Sequence, residues 1–341
     1  MPTNVSILVK SFNRPYYLDR CLRSIYDYVT GDYTITVLDD GTPPEYLAKI
    51  QAQYPLVQLV RSEIYDAKVA QLRAHVASKA PFSLRIIPTE MWMQGVRGAS
   101  DIFCMMEDDM WITRRFDISE LASYMAERQI VLTKMYWGGD LSGFEGKMAG
   151  SGHGLQEYVP ALPKGPEWFT RMLLLNTFKS QSILHRLGLV KEGIYFQLPF
   201  YGLYSVASAM FNKQYWLHLW QAKQKQADEV HQLARALNWT KRHLSRFAKS
   251  EEELTQTSFT TSATNNFKDV DFDVIVASHY LNEAWYHGRF DAMQNFPKDL
   301  EPAYLKPVFE EANDPRCTYA NWLLWIERFK GLYASMGVVV D

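Results

Sequence analysis

The stretch "FCMMEDDMW" (103–111) decides how this chain is to be read. Apolar residues run straight into three adjacent carboxylates, Glu107, Asp108 and Asp109, and the chain then returns to apolar residues. The first part has the length and composition of a strand buried on both faces. Like charges this close repel, and each resists losing its water. Something must compensate them: a metal, a cation of the protein, or solvent.

Working outward, "VSILV" (5–9) is a second short, β-branched run with the character of a buried strand. "NRP" follows it, with Pro15 suited to the first turn of a helix and Asn13 to its cap. Leu18, Leu22, Ile25 and Val29 recur at helical spacing. "TITVLDDG" (34–41) reads as a strand ending in acids and a glycine, "PPEYLAKIQAQY" (43–54) as a helix, and "VQLVRS" (57–62) as a third strand. Residues 65–85 read as an insertion, helical around "AKVAQLRAHVAS". A helix over 89–97 leads into the strand 101–106. Such alternation predicts a doubly wound α/β sheet with parallel strands. Asp39/Asp40 and Glu107–Asp109 then share the C-terminal strand edge, where open α/β sheets bind ligands.

Beyond residue 136 the pattern changes. "YWGGDLSGFEGKMAGSGHG" (136–154) reads as a long glycine-rich loop able to cover a site. Residues 203–212 suggest a strand, and 221–262 a pair of solvated helices. "FDVIVASHYLNEAWYH" (272–287) and "YANWLLWIERFKGLYASM" (319–336) are each a helix with an apolar face. Three segments are expected: a half of alternating strands and helices (1–135), a half with the glycine-rich loop and a helical insertion (136–290), and a C-terminal helical segment packed on the core (291–341).

Composition excludes more than it assigns. A net charge of −2 over 341 residues gives no global electrostatic case for nucleic acid or an anionic membrane as partner. No window approaches the apolar length of a membrane span. Cys21, Cys104 and Cys317 show no metal spacing and suit a reducing, cytoplasmic setting. The N-terminal run lacks the features of a signal peptide. The Trp-rich C-terminal helix could touch a membrane surface, but its polar face offers only Arg328 and Lys330, so packing on the core is expected.

"SILVKSFNRP", "TVLDDG", a third strand and "FCMMEDDMW", in that order, resemble the family 2 nucleotide-sugar glycosyltransferases of GT-A fold. The resemblance covers about the first 115 residues. It implies a Rossmann-like mixed sheet with a helical C-terminal extension, and transfer of a sugar, with inversion, from a nucleoside diphosphate donor, UDP-sugar favoured, to a hydroxyl acceptor. A saccharide or glycoconjugate acceptor is implied. By position Phe12 would lie near the nucleobase, Asp39 and Asp40 would meet base or ribose, and Arg97 or Arg85 would fill the place of a helix arginine. A divalent metal, Mn²⁺ or Mg²⁺, would bridge the diphosphate, held by Asp109 with Glu107 in support and Asp108 toward the ribose. The chemistry suits the residue types: a diphosphate leaving group gains charge, and a hard cation with oxygen ligands neutralises it. Period-two geometry would put Glu107 and Asp109 on one side and Asp108 on the other. Without a metal, the acids could instead cap helices or pair with Arg114 and Arg115.

Transfer to a hydroxyl needs a base. Asp271 in "KDVDFD" (268–273) leads, with Asp269 or Asp273 nearby; His153, Glu157 and Asp140 of the glycine-rich stretch compete. His279 or His287 could complete a metal site, although a satisfied helical histidine is the ordinary outcome. Two other functions stay open. A nucleotidyltransferase would carry a glycine-rich phosphate loop after the first strand, which "VKSFNRP" lacks. A non-catalytic nucleotide-sugar-binding module would keep the fold without turnover.

Overall fold

The computed structural model describes residues 4–139, 145–191, 193–220 and 229–340. Among these, nine strands form one mixed sheet: β1 (Val5–Ser11), β2 (Tyr33–Asp39), β3 (Gln58–Arg61), β4 (Ile102–Glu107), β5 (Ile130–Lys134), β6 (Glu145–Gly152), β7 (Leu155–Pro160), β8 (Ala209–Asn212) and β9 (Arg246–Ser250). Their spatial order is β3-β2-β1-β4-β8-β5-β9-β7-β6. The first four are mutually parallel. β8 runs antiparallel between β4 and β5, and β9 returns parallel to β5. The β6–β7 hairpin closes the far edge. Helices of ten or more residues are α1 (Pro15–Tyr28), α2 (Pro44–Gln53), α3 (Tyr65–Ser78), α4 (Thr89–Gly98), α5 (Ile118–Arg128), α6 (Glu229–Arg242), α7 (Val274–Tyr286), α8 (Pro302–Ala312) and α9 (Tyr319–Ala334). This mixed α/β sheet with a helical C-terminal segment is the fold class expected from the sequence.

The central strands β1 and β4 are apolar because both faces of the sheet are covered there. Ile7, Val9, Cys104 and Met106 point to one side and pack with residues of α1, α7 and α9. Leu8, Phe103 and Met105 point to the other, against α4, α6 and the helix Lys213–Leu219. Successive side chains alternate sides of a strand, so one five-residue run serves two cores. Trp322 and Trp325 of α9 are fully buried, so the Trp-rich helix spends its aromatics on the core. No helix of the described residues is long and apolar enough to cross a membrane.

Three expectations change. The stretch 136–154 does not remain loop: from Glu145 it forms β6, and His153 (φ 53) with Gly154 (φ 72) makes the two-residue turn into β7. Two consecutive positive φ values are what a tight hairpin turn demands. Asp140 lies outside the described residues. Two helices were expected over 221–262; among the described residues of that region, α6 is the one helix and is followed by β9, which buries Phe247 while Leu244 stays exposed. Asn13 does not cap α1. Its φ of 53 makes a left-handed turn, its backbone N–H donates to Thr42 Oγ1 at 2.9 Å, and Arg14 occupies the cap position without a side-chain capping bond.

Candidate active site

β1 and β4 lie side by side, and their register sets Lys10 opposite Glu107. Their side chains pair at 2.7 Å. The strand ends at Glu107, so Asp108 and Asp109 sit in the following turn and do not alternate as period two would have them. Both face one guanidinium: Arg14 Nη2 donates to Asp108 Oδ1, and Nη1 to Asp109 Oδ2. The left-handed Asn13 folds the chain back so that Arg14 reaches them from the "FNRP" turn. Asp108 Oδ2 also accepts the Phe12 N–H at 2.9 Å. Compensation for the acids therefore comes from the protein, through Lys10 and Arg14. Arg114, the pairing partner considered from sequence, instead meets Glu252 at 2.6 Å.

The second acidic pair divides its work. Asp39 is fully buried and holds the turn, accepting from Gly41 N (3.0 Å), Thr42 N (2.8 Å) and Thr42 Oγ1 (2.6 Å). Asp40 points the other way, to the pocket, and is paired with Lys68 of α3. Gly41 (φ 142) permits this: a Cβ there would stand 3.0 Å from Lys68 Cβ and 3.2 Å from the Phe12 ring.

Around these groups lies a pocket of about 290 Å³, near the lower end for small-molecule sites. Its floor is Lys10, Ser11, Phe12, Arg14, Asp40, Lys68 and Glu107–Asp109. One wall is the extended segment after α3, from Phe82 to Pro88; the facing wall is the loop 261–265. Arg85 reaches across, donating to the Thr264 carbonyl at 3.4 Å. Phe329 and Tyr333 of α9 close one side, so the C-terminal helix helps build the site.

The electrostatics follow from burial. Desolvation pushes the Asp109 carboxyl up to about 7, opposed by Arg14 and reinforced by Asp108 and Glu107. Asp39 is pushed up to about 6 by burial, against its hydrogen bonds from Thr42 and Gly41. Burial works against charge on Arg14, yet Asp108 and Asp109 hold it above its ordinary value. Burial likewise works against the Glu107 carboxylate, but Lys10 brings it below the usual range.

Among the described residues, no three His, Cys, Asp or Glu side chains converge to hold a metal ion. A metal that travels with a diphosphate needs less, since such sites keep one or two carboxylates beside phosphates and water. Asp109 Oδ1 is a buried carboxylate oxygen with no partner, which fits that sparse role. Glu107 retains one oxygen beyond its pair with Lys10.

Several residues singled out from sequence are elsewhere. Arg97 sits near the C-terminus of α4 and pairs with Glu90 at 3.4 Å. The chain passes from α4 directly into the start of β4, so Arg97 lies at the strand's other end, a strand length of about 20 Å from the acids. Arg85 lines the pocket instead. His153 is at the tip of the edge hairpin, paired with Glu120. Glu157 is buried between Arg128 and Arg246, a structural pairing. Asp271 is exposed and off the pocket, with its carbonyl accepting from Asn321. Asp269 pairs with Arg328, and Asp273 caps α7 while bonded to His75. His279 is half-buried on α7, where burial lowers its pKa, and His287 pairs with Glu283; neither lines the pocket. Asp271→Asn is accordingly expected to leave turnover within about twofold of wild type in a transfer assay, as for an exposed substitution away from the chemistry.

Sequence reasoning missed Lys10, Arg14 and Lys68 as site residues. The first had a readable signal: a lysine ending one apolar strand, as Glu107 ends another.

No protein-family model and no curated protein matches the chain. Solved structures do. It is similar to Staphylococcus aureus TarS 1–349 at 12% identity and a TM-score of 0.43, covering 89% of this chain and 69% of that one. The same protein in complex with UDP-GlcNAc gives 15% and 0.41, over 91% and 72%. WbbM, a bifunctional glycosyltransferase, gives 12% and 0.37, over 96% of this chain and 50% of that one. Glucosyl-3-phosphoglycerate synthase of Mycobacterium tuberculosis, with Mn²⁺, UDP and glucosyl-3-phosphoglycerate, gives 15% and 0.30, over 63% and 59%.

Proposed function

We propose that the chain is a nucleotide-sugar glycosyltransferase that takes its sugar from a nucleoside diphosphate donor, a UDP-sugar by the resemblance of its motifs, and passes it to a hydroxyl acceptor. The observation that carries this is the pocket itself. Acids, cations and an aromatic face converge at the C-terminal edge of parallel strands, with a buried carboxylate oxygen left unbonded.

Each residue has a part in this proposal. Phe12, with the Lys68 ammonium 5.2 Å from its ring centre, offers a face to the base. Asp40 is the acid placed to accept from base or ribose. Asp108 is fixed by Arg14 and the Phe12 N–H, and its carboxylate keeps acceptor capacity toward the ribose. Asp109, with Glu107 second, would hold Mn²⁺ or Mg²⁺, which when bound neutralises charge on the departing diphosphate. Lys10 and Arg14 oppose the cost of burying these acids and fix them around that position.

The test is a melting panel of UDP, GDP and dTDP, each with and without Mn²⁺. UDP with Mn²⁺ at about a hundred times its dissociation constant should add about 2.7 kcal/mol, a rise of several degrees. A melt unmoved by every diphosphate, with metal or without, would overturn the proposal at its first step.

A further inference from the structure

Exposed apolar side chains occur at separate places, as at Leu56 and Leu244, but they concentrate in one stretch. Trp168 (69% exposed), Phe178 (89%), Ile183, Leu187 (65%), Leu189 (68%) and Tyr195 all come from one stretch of under thirty residues. That stretch contains two short helices packed on each other, Glu167–Leu174 and Ser180–Arg186. Each buries one side and shows the other. On the first, Thr170, Leu173 and Leu174 face inward, and Trp168 lies on the opposite side with Arg171 one turn on. On the second, Gln181 is buried, while Ile183, Arg186 and Leu187 share the outer face at three- and four-residue spacing. This many exposed apolar side chains in one short stretch marks an interaction surface.

Charge says which use. Residues 164–195 carry five Lys or Arg, at Lys164, Arg171, Lys179, Arg186 and Lys191, against two acids, in a protein whose net charge is −2. All five cations are exposed. None makes an ion pair among the described residues. Glu167 is turned away, accepting from Asn238 at 2.7 Å. Exposed cations interleaved along the stretch with exposed Trp, Phe and Leu match the pattern of a surface that lies on anionic lipid. A second copy of the chain is a poor occupant, because two-fold self-docking would set these cations against each other.

The stretch also reaches the C-terminal end of α9. Tyr195 Oη donates to the Ser335 carbonyl at 3.3 Å, just past α9, whose Tyr333 lines the pocket. We infer that residues 164–195 form a docking face for an anionic membrane surface, holding the candidate active site beside the lipid headgroups. This is a different place from the Trp-rich helix, which the core consumes.

The experiment is co-sedimentation of the full chain with vesicles of phosphatidylcholine alone, and of phosphatidylcholine with phosphatidylglycerol. Binding to the anionic vesicles only, weakened by added salt, is expected. The triple variant Trp168→Ser, Phe178→Ser, Leu187→Ser should lose that binding by about tenfold or more. Its melting temperature and its response to UDP with Mn²⁺ should be those of the wild type. A second variant, Lys179→Glu with Arg186→Glu, leaves every apolar contact in place and should lose binding as well. Equal sedimentation with neutral and anionic vesicles, or none with either, would overturn the inference. So would a wild-type dimer in light scattering that the triple variant renders monomeric, since the face would then join copies of the chain.

Discussion

Arg14→Met is expected to lower the unfolding free energy by about 3–5 kcal/mol, because it leaves two buried carboxylates without their counter-charge. The Arg14 side chain is 8% exposed and those of Asp108 and Asp109 are 1% and 13%, so the small value of a solvated pair does not apply. The contrast is Arg289–Glu311, both about half exposed, where loss of the arginine should cost under about 1 kcal/mol. Methionine retains much of the arginine's volume, so the loss would report charge and not a cavity. The penalty should shrink in acid, where the stranded carboxyls take up protons. It should also shrink in a background of Asp108→Asn with Asp109→Asn, which removes what Arg14 compensates. Urea unfolding of the variants gives the coupling energy directly. A single-variant cost no larger than that of Arg289→Met would mean that Arg14 does not neutralise this site.

Arg14 also shows how far the site could be read from residues alone. The strands β1, β2 and β4 were legible because each is a short, largely apolar run punctuated by Pro15, Gly41 or an acid. From their order the shared edge followed, and with it the convergence of Asp40 and Glu107–Asp109. What could not be read was which charge meets which. Arg14 reaches both aspartates only because Asn13 turns left-handed, and Lys68 reaches Asp40 from a helix that looked like an insertion. Arg97 misled for the opposite reason: it is close to the acids along the chain but at the wrong end of β4. In the second half the signals were weak. β6 is largely glycine and small residues, so it carries no alternation, and its pairing with β7 makes it a strand. β9 is five residues long, and the three-residue spacing of Leu244 and Phe247 imitates a helix by coincidence. Asp271 sits in a stretch whose acids proved to serve α7, α9 and solvent.

Asp109→Asn should stabilise the protein and disable it at once. The Asp109 carboxyl is pushed up to about 7, first by burial and then by Asp108 and Glu107, against Arg14. An aspartate in the unfolded chain titrates near 3.9, so the native state holds the proton more tightly. The stabilisation from that proton is whole below about pH 4 and is lost as pH rises through about 7. Asparagine keeps the shape and has no proton to lose. The variant should therefore gain on the wild type as pH rises, by on the order of 4 kcal/mol at pH 8, with a smaller difference at pH 5. Ligand should reverse the order. If Asp109 Oδ1 holds a metal on the diphosphate, UDP with Mn²⁺ will raise the wild-type melt and leave the variant unmoved, and transfer will fall by about a hundredfold or more. Melting curves at both pH values, with and without UDP and Mn²⁺, separate the two effects. A variant that keeps the Mn²⁺-dependent rise would remove Asp109 from the metal site, whatever its stability. A variant less stable than the wild type at pH 8 would mean that the bond to Arg14 outweighs the cost of burying the charge. Loss of the ligand response with a gain in stability is the combination required of a carboxylate kept for a cation that arrives with its substrate.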